Sequence, residues 1–189
     1  MNDQIRSFIA VPVPPETAEK LRAAQDLLRR AGPGVKWVDT STLHITLKFL
    51  GSVERDRLNA TWQSVEEGLD GGEPFTMRCR GIGAFPNKRR PRVVWAGVAE
   101  GAAELTDLAV RVDRACGEHN FEQEGRPFHP HVTLGRVRGP MSDPELASAI
   151  TDLQETDFGE ARVERVLLMK SQLTPRGAVY HVLDEKPLR

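Results

Sequence analysis

Hydrophobic residues recur along the chain with two spacings, which divide it into strands and helices. Apolar residues at every second position, rich in β-branched and aromatic types, predict strands. Strands are predicted at residues 8–11, 35–38, 43–49, 75–85, 93–98, 128–137, 163–173 and 178–183, with a hairpin turn at 174–177. Helical spacing predicts helices at residues 16–31, 54–69 and 103–119. A capping-box sequence with proline near the first turn predicts that a fourth helix starts at 142–145.

The order of elements in the first half returns in the second half at a constant offset. His44 and His131 are separated by 131 − 44 = 87 residues. A shift of 87 places the strand at 8–11 on 95–98, the helix at 16–30 on 103–117, and the helix at 54–69 on 141–156. Several elements in register indicate an internal duplication. We therefore predict one bilobal domain over residues 1–189, with repeat-like halves at about 5–85 and 92–185.

Composition and charge narrow the classes of function. The chain has 189 residues, 26 Lys and Arg against 27 Asp and Glu, and a net charge of −1. A protein that coats long nucleic acid carries a basic excess, which this chain lacks, so the charge leaves a small polar ligand or one end of a nucleic acid. Cys79 and Cys116 form no CxxC pair and are predicted to be core residues. The N-terminal apolar run is too short for a signal peptide or a membrane span, and we expect a soluble cytoplasmic protein that contacts no membrane.

A His-x-Thr-Leu sequence occurs twice, at residues 44–47 and 131–134. Residues i and i+2 of a strand share a face, so His44 and Thr46 point one way, and His131 and Thr133 do the same. A pseudo-twofold axis between the lobes would bring both polar faces to one cleft. One neutral and one protonated imidazole could then serve as base and acid on opposite sides of a phosphorus atom. The threonine hydroxyls would donate to the phosphoryl oxygens.

Other interpretations of the histidines are weaker. A metal site is suggested by His129-Pro130-His131, but no Asp or Glu lies within residues 128–137 or 40–51. Metal-binding histidines are usually accompanied by carboxylate or thiolate ligands, so we expect no metal and no cofactor. His129 is interpreted as a packing or hydrogen-bonding residue. His119 and His181 follow no pattern.

The chain resembles the two-histidine phosphoesterase superfamily, and within it the bacterial and archaeal RNA 2′,3′-cyclic phosphodiesterases, once called 2′-5′ RNA ligases. The resemblance covers nearly the whole chain. It rests on the segments RSFIAVPVP, VKWVDTSTLHITLKFLG, PRVVWAGV, FHPHVTLGRV and LLMKSQLTPRGAVYHVL. It implies an α+β fold of two pseudo-symmetric lobes around a central cleft, each an antiparallel sheet with helices on its outer face.

The same resemblance implies metal-independent hydrolysis of a terminal 2′,3′-cyclic phosphate to a 2′-phosphate. His44 would be the proton donor and His131 the proton acceptor, roles that the pseudo-symmetric pattern itself leaves open. Arg136 would bind phosphate, although strict alternation points it away from the cleft unless Gly135 allows a bulge. The expected partner is an RNA terminus or a small cyclic nucleotide, and the expected state is a monomer.

Two further features have open interpretations. Phe49 has the parity of a core residue and is predicted to pack there rather than to stack on a base. The basic loop at residues 87–92 is either a solvated loop or a contact for RNA phosphates. The alternatives to hydrolysis are the reverse reaction, which is 2′-5′ RNA ligation, and binding of RNA ends without turnover.

Overall fold

The computed structural model describes residues 4–32, 34–139, 143–174 and 177–189. Within them, nine strands form one antiparallel sheet and four helices pack against it. The strands are β1 Gln4–Pro12, β2 Val35–Trp37, β3 His44–Glu54, β4 Phe75–Phe85, β5 Val93–Glu100, β6 His131–Val137, β7 Asp157–Val163, β8 Arg165–Thr174 and β9 Gly177–Pro187. The helices are α1 Pro15–Ala31, α2 Arg55–Gly68, α3 Ala102–Gly117 and α4 Pro144–Asp152, and a 3-10 turn spans Thr40–Thr42. The predicted α+β class with antiparallel strands is confirmed.

The strand order of the sheet reads almost the same from either end. It runs β7-β4-β5-β6-β3-β1-β8-β9, and β2 adds to β6. A shift of 87 residues exchanges β1 with β5 and β3 with β6, and approximately exchanges β4 with β8. The two lobes meet where β3 pairs with β6, through the residue pair Ile45 and Val132. These two residues are also 87 apart, so a pseudo-twofold axis passes through the pair that joins the lobes.

Each lobe takes an element from the opposite half of the sequence. In the first lobe, β1 lies between β3 and β8, and β8 comes from the second half. In the second lobe, β5 lies between β6 and β4, and β4 comes from the first half. The helices follow the same exchange, since α1 packs against α4 and β7, whereas α2 packs against α3 and β3. One hydrophobic core results from both halves of the chain.

The ends of helices α1 and α4 are fixed by their local sequences. Pro15 occupies the first turn of α1, where a missing backbone N–H costs nothing, and the N–H of Gly32 closes the helix on Leu28. Asp143 caps α4, since its carboxylate accepts from the backbone N–H groups of Glu145 and Leu146. Ser142, which belongs to the predicted helix start, lies outside the described residues. No helix within the described residues is long and apolar enough to cross a membrane.

One strand was not predicted and one turn lies partly outside the described residues. β7 was missed because Gly159 has a φ of +85° and interrupts the alternation between Phe158 and Ala161. The predicted turn at 174–177 includes residues 175 and 176, which lie outside the described residues. The remaining predicted strands and helices are present with shifted ends.

Candidate active site

The two His-x-Thr sequences open β3 and β6, the neighbouring strands at the centre of the sheet. Ile45 and Val132 between them are fully buried. Because successive residues of a strand face opposite sides, His44 and Thr46 share the other face with His131 and Thr133. The pairing of Ile45 with Val132 sets His44 across from Thr133 when the register is continued. The structure thus brings all four predicted residues to one face of the sheet, which we call the cleft.

Both histidine rings are fixed by the same backbone contact. Nδ1 of His44 lies 2.7 Å from the carbonyl oxygen of Thr42, and Nδ1 of His131 lies 2.7 Å from that of His129. A carbonyl can only accept, so Nδ1 carries the proton in both rings. Each Nε2 is therefore left for the cleft, as an acceptor in a neutral ring and as a donor in a protonated one.

The surroundings of both rings favour the neutral form. Burial lowers the pKa of His44, and the positive charges of Arg136 and His131 lower it further. Burial also lowers the pKa of His131, as do the charges of His129 and Arg136. The backbone hydrogen bonds act in the opposite direction because they stabilise the imidazolium. Without a bound anion, the pKa of both histidines thus lies below the ordinary value, which favours the neutral imidazoles.

Thr46 and Thr133 are half-buried on the cleft face. Across the part of the chain that the structure describes, neither hydroxyl forms a hydrogen bond with the protein. Each can therefore donate to an oxygen atom of a ligand placed between the histidines. This arrangement is typical of a site for an anion with several acceptor oxygens.

A β-bulge brings Arg136 to the cleft. In the ladder between β5 and β6, Trp95 pairs with Thr133 and Val94 pairs with Gly135, so Leu134 has no partner of its own. The extra residue reverses the alternation, and Arg136 then shares a face with Thr133. Arg136 is exposed, and its charge lowers the pKa of both histidines. Arg136 thus faces the site, as the bulge hypothesis required.

The same bulge exists in the other lobe and moves Phe49. Ile9 pairs with Lys48 and Ala10 with Thr46, so Leu47 is the extra residue of β3. Phe49 therefore leaves the core face, and 60% of its surface is exposed. The prediction that Phe49 packs in the core was wrong, because it assumed an uninterrupted alternation. Phe49 and Arg136 are 87 residues apart and hold equivalent positions on the two lobes.

The residue after each bulge points into its own lobe. Lys48 is buried, and its Nζ donates to Asp113 Oδ1 and to the carbonyl of Glu122, both at 2.5 Å. Gly135 is the equivalent residue in the second lobe. A Cβ on Gly135 would lie 2.6 Å from Val35 Cγ1, so only glycine fits there without movement.

An aromatic shell around the histidines was not predicted. The ring centroids of Phe8 and Tyr180 lie 4.8 and 5.2 Å from that of His44. On the other lobe, Phe85 and Trp95 lie 5.2 and 6.3 Å from His131. Phe8 and Trp95 are 87 apart, so the repeat contained the signal for this pair. Tyr180 and Phe85 carry no such signal.

Of the other histidines, His129 lies beside the site, since its ring centroid is 6.3 Å from that of Phe85 and its charge lowers the pKa of His131. The carbonyl of His129 orients His131, and its own ring is exposed. His119 bonds to Ser64, and His181 is exposed on β9. In the described ranges, no three His, Cys, Asp or Glu side chains are close enough together to hold a metal ion. Cys79 and Cys116 are buried in the core, as predicted.

The basic loop connects β4 to β5 and forms the turn of their hairpin. Asn87 Oδ1 accepts from the N–H groups of Arg89 and Arg90, each at 3.1 Å, and both arginines are exposed. Lys88 turns toward α4 and donates to Thr151. The loop begins directly after Phe85, whose ring contacts His131.

Known proteins that resemble this chain do so over both of its halves. A Methanothermobacter thermautotrophicus protein named RNA 2′,3′-cyclic phosphodiesterase is 40% identical over 177 residues, 94% of this chain and 95% of its own length. The crystal structure of a Thermus thermophilus protein has a TM-score of 0.81 at 33% identity, and covers 97% of this chain and 98% of its own.

The crystal structure of Escherichia coli LigT complexed with 3′-AMP has a TM-score of 0.78 and covers 98% of this chain and 99% of its own. At 24% identity, that likeness concerns the fold. The family described as LigT like Phosphoesterase matches residues 11–95 and again residues 97–180. Two matches of one family, over nearly the whole chain, show that this chain belongs to the LigT-like phosphoesterases.

Proposed function

We propose that this protein is an RNA 2′,3′-cyclic phosphodiesterase that opens the terminal cyclic phosphate to a 2′-phosphate without a metal ion. The observation that carries the proposal is the matched pair of histidines, each held through Nδ1 and presenting Nε2 to one cleft. Relatives with that name align over most of the chain. The substrate is an RNA terminus or a small cyclic nucleotide.

In this mechanism the cyclic phosphate lies between the two rings. Nε2 of neutral His131 takes a proton from water as the water oxygen attacks phosphorus. Nε2–H of protonated His44 gives its proton to the ribose 3′ oxygen as the bond from phosphorus to that oxygen breaks. The products are a 2′-phosphate and a 3′-hydroxyl. The attacking and leaving oxygens lie on opposite sides of phosphorus, which matches one histidine on each lobe.

Three groups would hold the non-bridging oxygens. The hydroxyls of Thr46 and Thr133 have no protein partner among the described residues, and Arg136 adds a fixed positive charge. Preorganised donors of this kind stabilise charge at phosphorus. The bound phosphate also offsets the low pKa of His44, because an adjacent negative charge favours the imidazolium. Substrate binding thus favours uptake of a proton from solvent by His44, and His44 then passes that proton to the leaving oxygen.

The test is incubation of an RNA oligonucleotide ending in a 2′,3′-cyclic phosphate with EDTA present. Wild type should yield the 2′-phosphate, and His44→Ala and His131→Ala should each lose about 10²- to 10⁴-fold in rate. His181→Ala is the matched control, since His181 is exposed on β9 outside the cleft. Loss of activity with EDTA alone would contradict the metal-independent mechanism. Accumulation of 2′-5′-linked RNA in place of the 2′-phosphate would assign the reverse reaction.

A further inference from the structure

Positive charge is concentrated on one side of the cleft. Lys36 of β2 pairs directly with Arg136 of β6, and directly paired residues of antiparallel strands share a face. Val93 also pairs with Arg136, and Phe85, whose ring contacts His131, pairs with Val93. Lys36 and Arg136 therefore lie on the cleft face, in line with His131.

This line of charge continues beyond the end of β6. The N–H of Arg138 donates to the carbonyl of Gly34 at 3.0 Å, which extends the ladder and keeps Arg138 in step with Arg136. Arg89 of the β4–β5 loop lies at the same end of the sheet. We call Lys36, Arg89, Arg136 and Arg138 the basic strip. Along the strand, Arg138 lies roughly 20 Å from His131, at about 3.3 Å per residue.

The positive charges of the basic strip are not neutralised by acidic side chains within the described residues. Within the described ranges, none of its four members forms an ion pair, and all four are exposed. No Asp or Glu occurs in residues 34–38, 84–99 or 125–138. By contrast, Arg78 at the far side of β4 bonds to Glu100 and Asp157. The strip is thus a local excess of free cations on a chain of net charge −1.

We infer that the basic strip binds the RNA strand on the 5′ side of the cyclic phosphate, so that a longer RNA end binds more tightly than a single nucleotide. This inference rests on the proposed function. A 2′,3′-cyclic phosphate occupies both ribose oxygens of the last nucleotide, so every further phosphate lies toward the 5′ end. The distance from His131, beside which the cyclic phosphate would lie, to Arg138 exceeds the reach of one nucleotide. Spaced free cations match the spaced phosphates of a single strand.

Two triple variants with equal loss of charge test the inference. The strip variant is Lys36→Gln, Arg89→Gln, Arg138→Gln, which leaves Arg136 in place. The control variant is Arg22→Gln, Arg29→Gln, Arg30→Gln on the exposed side of α1. The probe is a 5′-fluorescein RNA of ten nucleotides ending in a 2′-phosphate, measured by fluorescence anisotropy. Steady-state hydrolysis of a ten-nucleotide cyclic-phosphate RNA is compared with that of a 2′,3′-cyclic mononucleotide.

For the strip variant we expect a Kd for the probe and a KM for the oligonucleotide at least tenfold above wild type. The slope of the logarithm of the association constant against the logarithm of salt concentration should become shallower by about 2. Each lost contact with a single-strand phosphate removes about 0.7 from that slope. The KM for the mononucleotide should change less than threefold, and the control variant should keep wild-type values.

Equal RNA affinity for wild type and the strip variant, or no measurable affinity in wild type, would overturn the inference. These results are separate from failure of the proposed function. Wild type and the strip variant could both hydrolyse the oligonucleotide and the mononucleotide with equal KM. That result would support the proposed function and contradict RNA binding by the strip. If wild type hydrolyses neither substrate, the proposed function is wrong. The anisotropy would still show whether the strip variant binds the RNA probe more weakly than wild type.

Discussion

Gly135→Ala tests whether the bulge in β6 positions Arg136. An alanine Cβ at this position would lie 2.6 Å from Val35 Cγ1 and 2.9 Å from Trp37 Cε3. Carbon atoms in ordinary contact are about 3.5–4.0 Å apart, so the strand must shift by about 1 Å. Overpacking of this kind costs about 1–3 kcal/mol. In a chain of this size that lowers Tm by about 2–12 °C.

The same shift of the strand should weaken substrate binding. Arg136 follows Gly135 directly, and misplacement of a catalytic group by about 1 Å can cost up to about 100-fold. We expect the KM for a cyclic phosphate substrate to rise about tenfold, with a weaker inhibition by inorganic phosphate. Thermal unfolding followed by circular dichroism and steady-state kinetics measure both effects.

Gly68→Ala is the matched control for this change. A Cβ on Gly68 would lie 3.5 Å from Ala115 Cβ, which is an ordinary contact, and Gly68 is the last residue of α2. It should unfold at or above the wild-type temperature and keep the wild-type KM. Unchanged stability and unchanged KM in Gly135→Ala would refute the account of the bulge.

Three other outcomes follow from the site and its surroundings. Because the pKa values of His44 and His131 are lowered, the pH profile of kcat/KM should peak below about pH 6.5, and a peak above pH 7 would contradict this. Arg136→Gln removes a positive charge, so the pKa of both histidines should rise and both limbs of the profile should move to higher pH. Lys48→Met breaks the buried pair with Asp113 and should destabilise the fold by about 3 kcal/mol in urea unfolding, whereas a change below about 1 kcal/mol would show that the pair is dispensable.

Regular periodicity explains why much of the fold could be predicted from the sequence. Most strands and three helices followed from hydrophobic spacing, and the fourth helix followed from its capping sequence. The offset of 87 residues located the four residues that face each other in the cleft. Leu47 and Leu134 mark the limit of that reasoning. Each is the extra residue of a bulge, and a bulge reverses every later position on its strand, which is why Phe49 was misplaced and Arg136 was uncertain.

Partners that come from distant parts of the chain were also beyond the sequence pattern. Tyr180 and Phe85 reach the histidines only because β9 and β4 lie where the sheet places them. The roles of His44 and His131 remain a proposal that the kinetic experiments test. Phe49 and Arg136 give the two sides of the cleft different chemistry, and such a difference is what can orient a substrate between equivalent histidines.

The exchange of strands between the lobes affects the order in which the chain can fold during synthesis. When the ribosome has made roughly the first half of the chain, β1 and β3 can pair, but β4 still lacks the β5 edge against which it lies. The other edge of β1 stays open until β8, residues 165–174, has emerged. Neither lobe can close before nearly the whole chain exists, so the two halves of the sequence cannot fold one after the other.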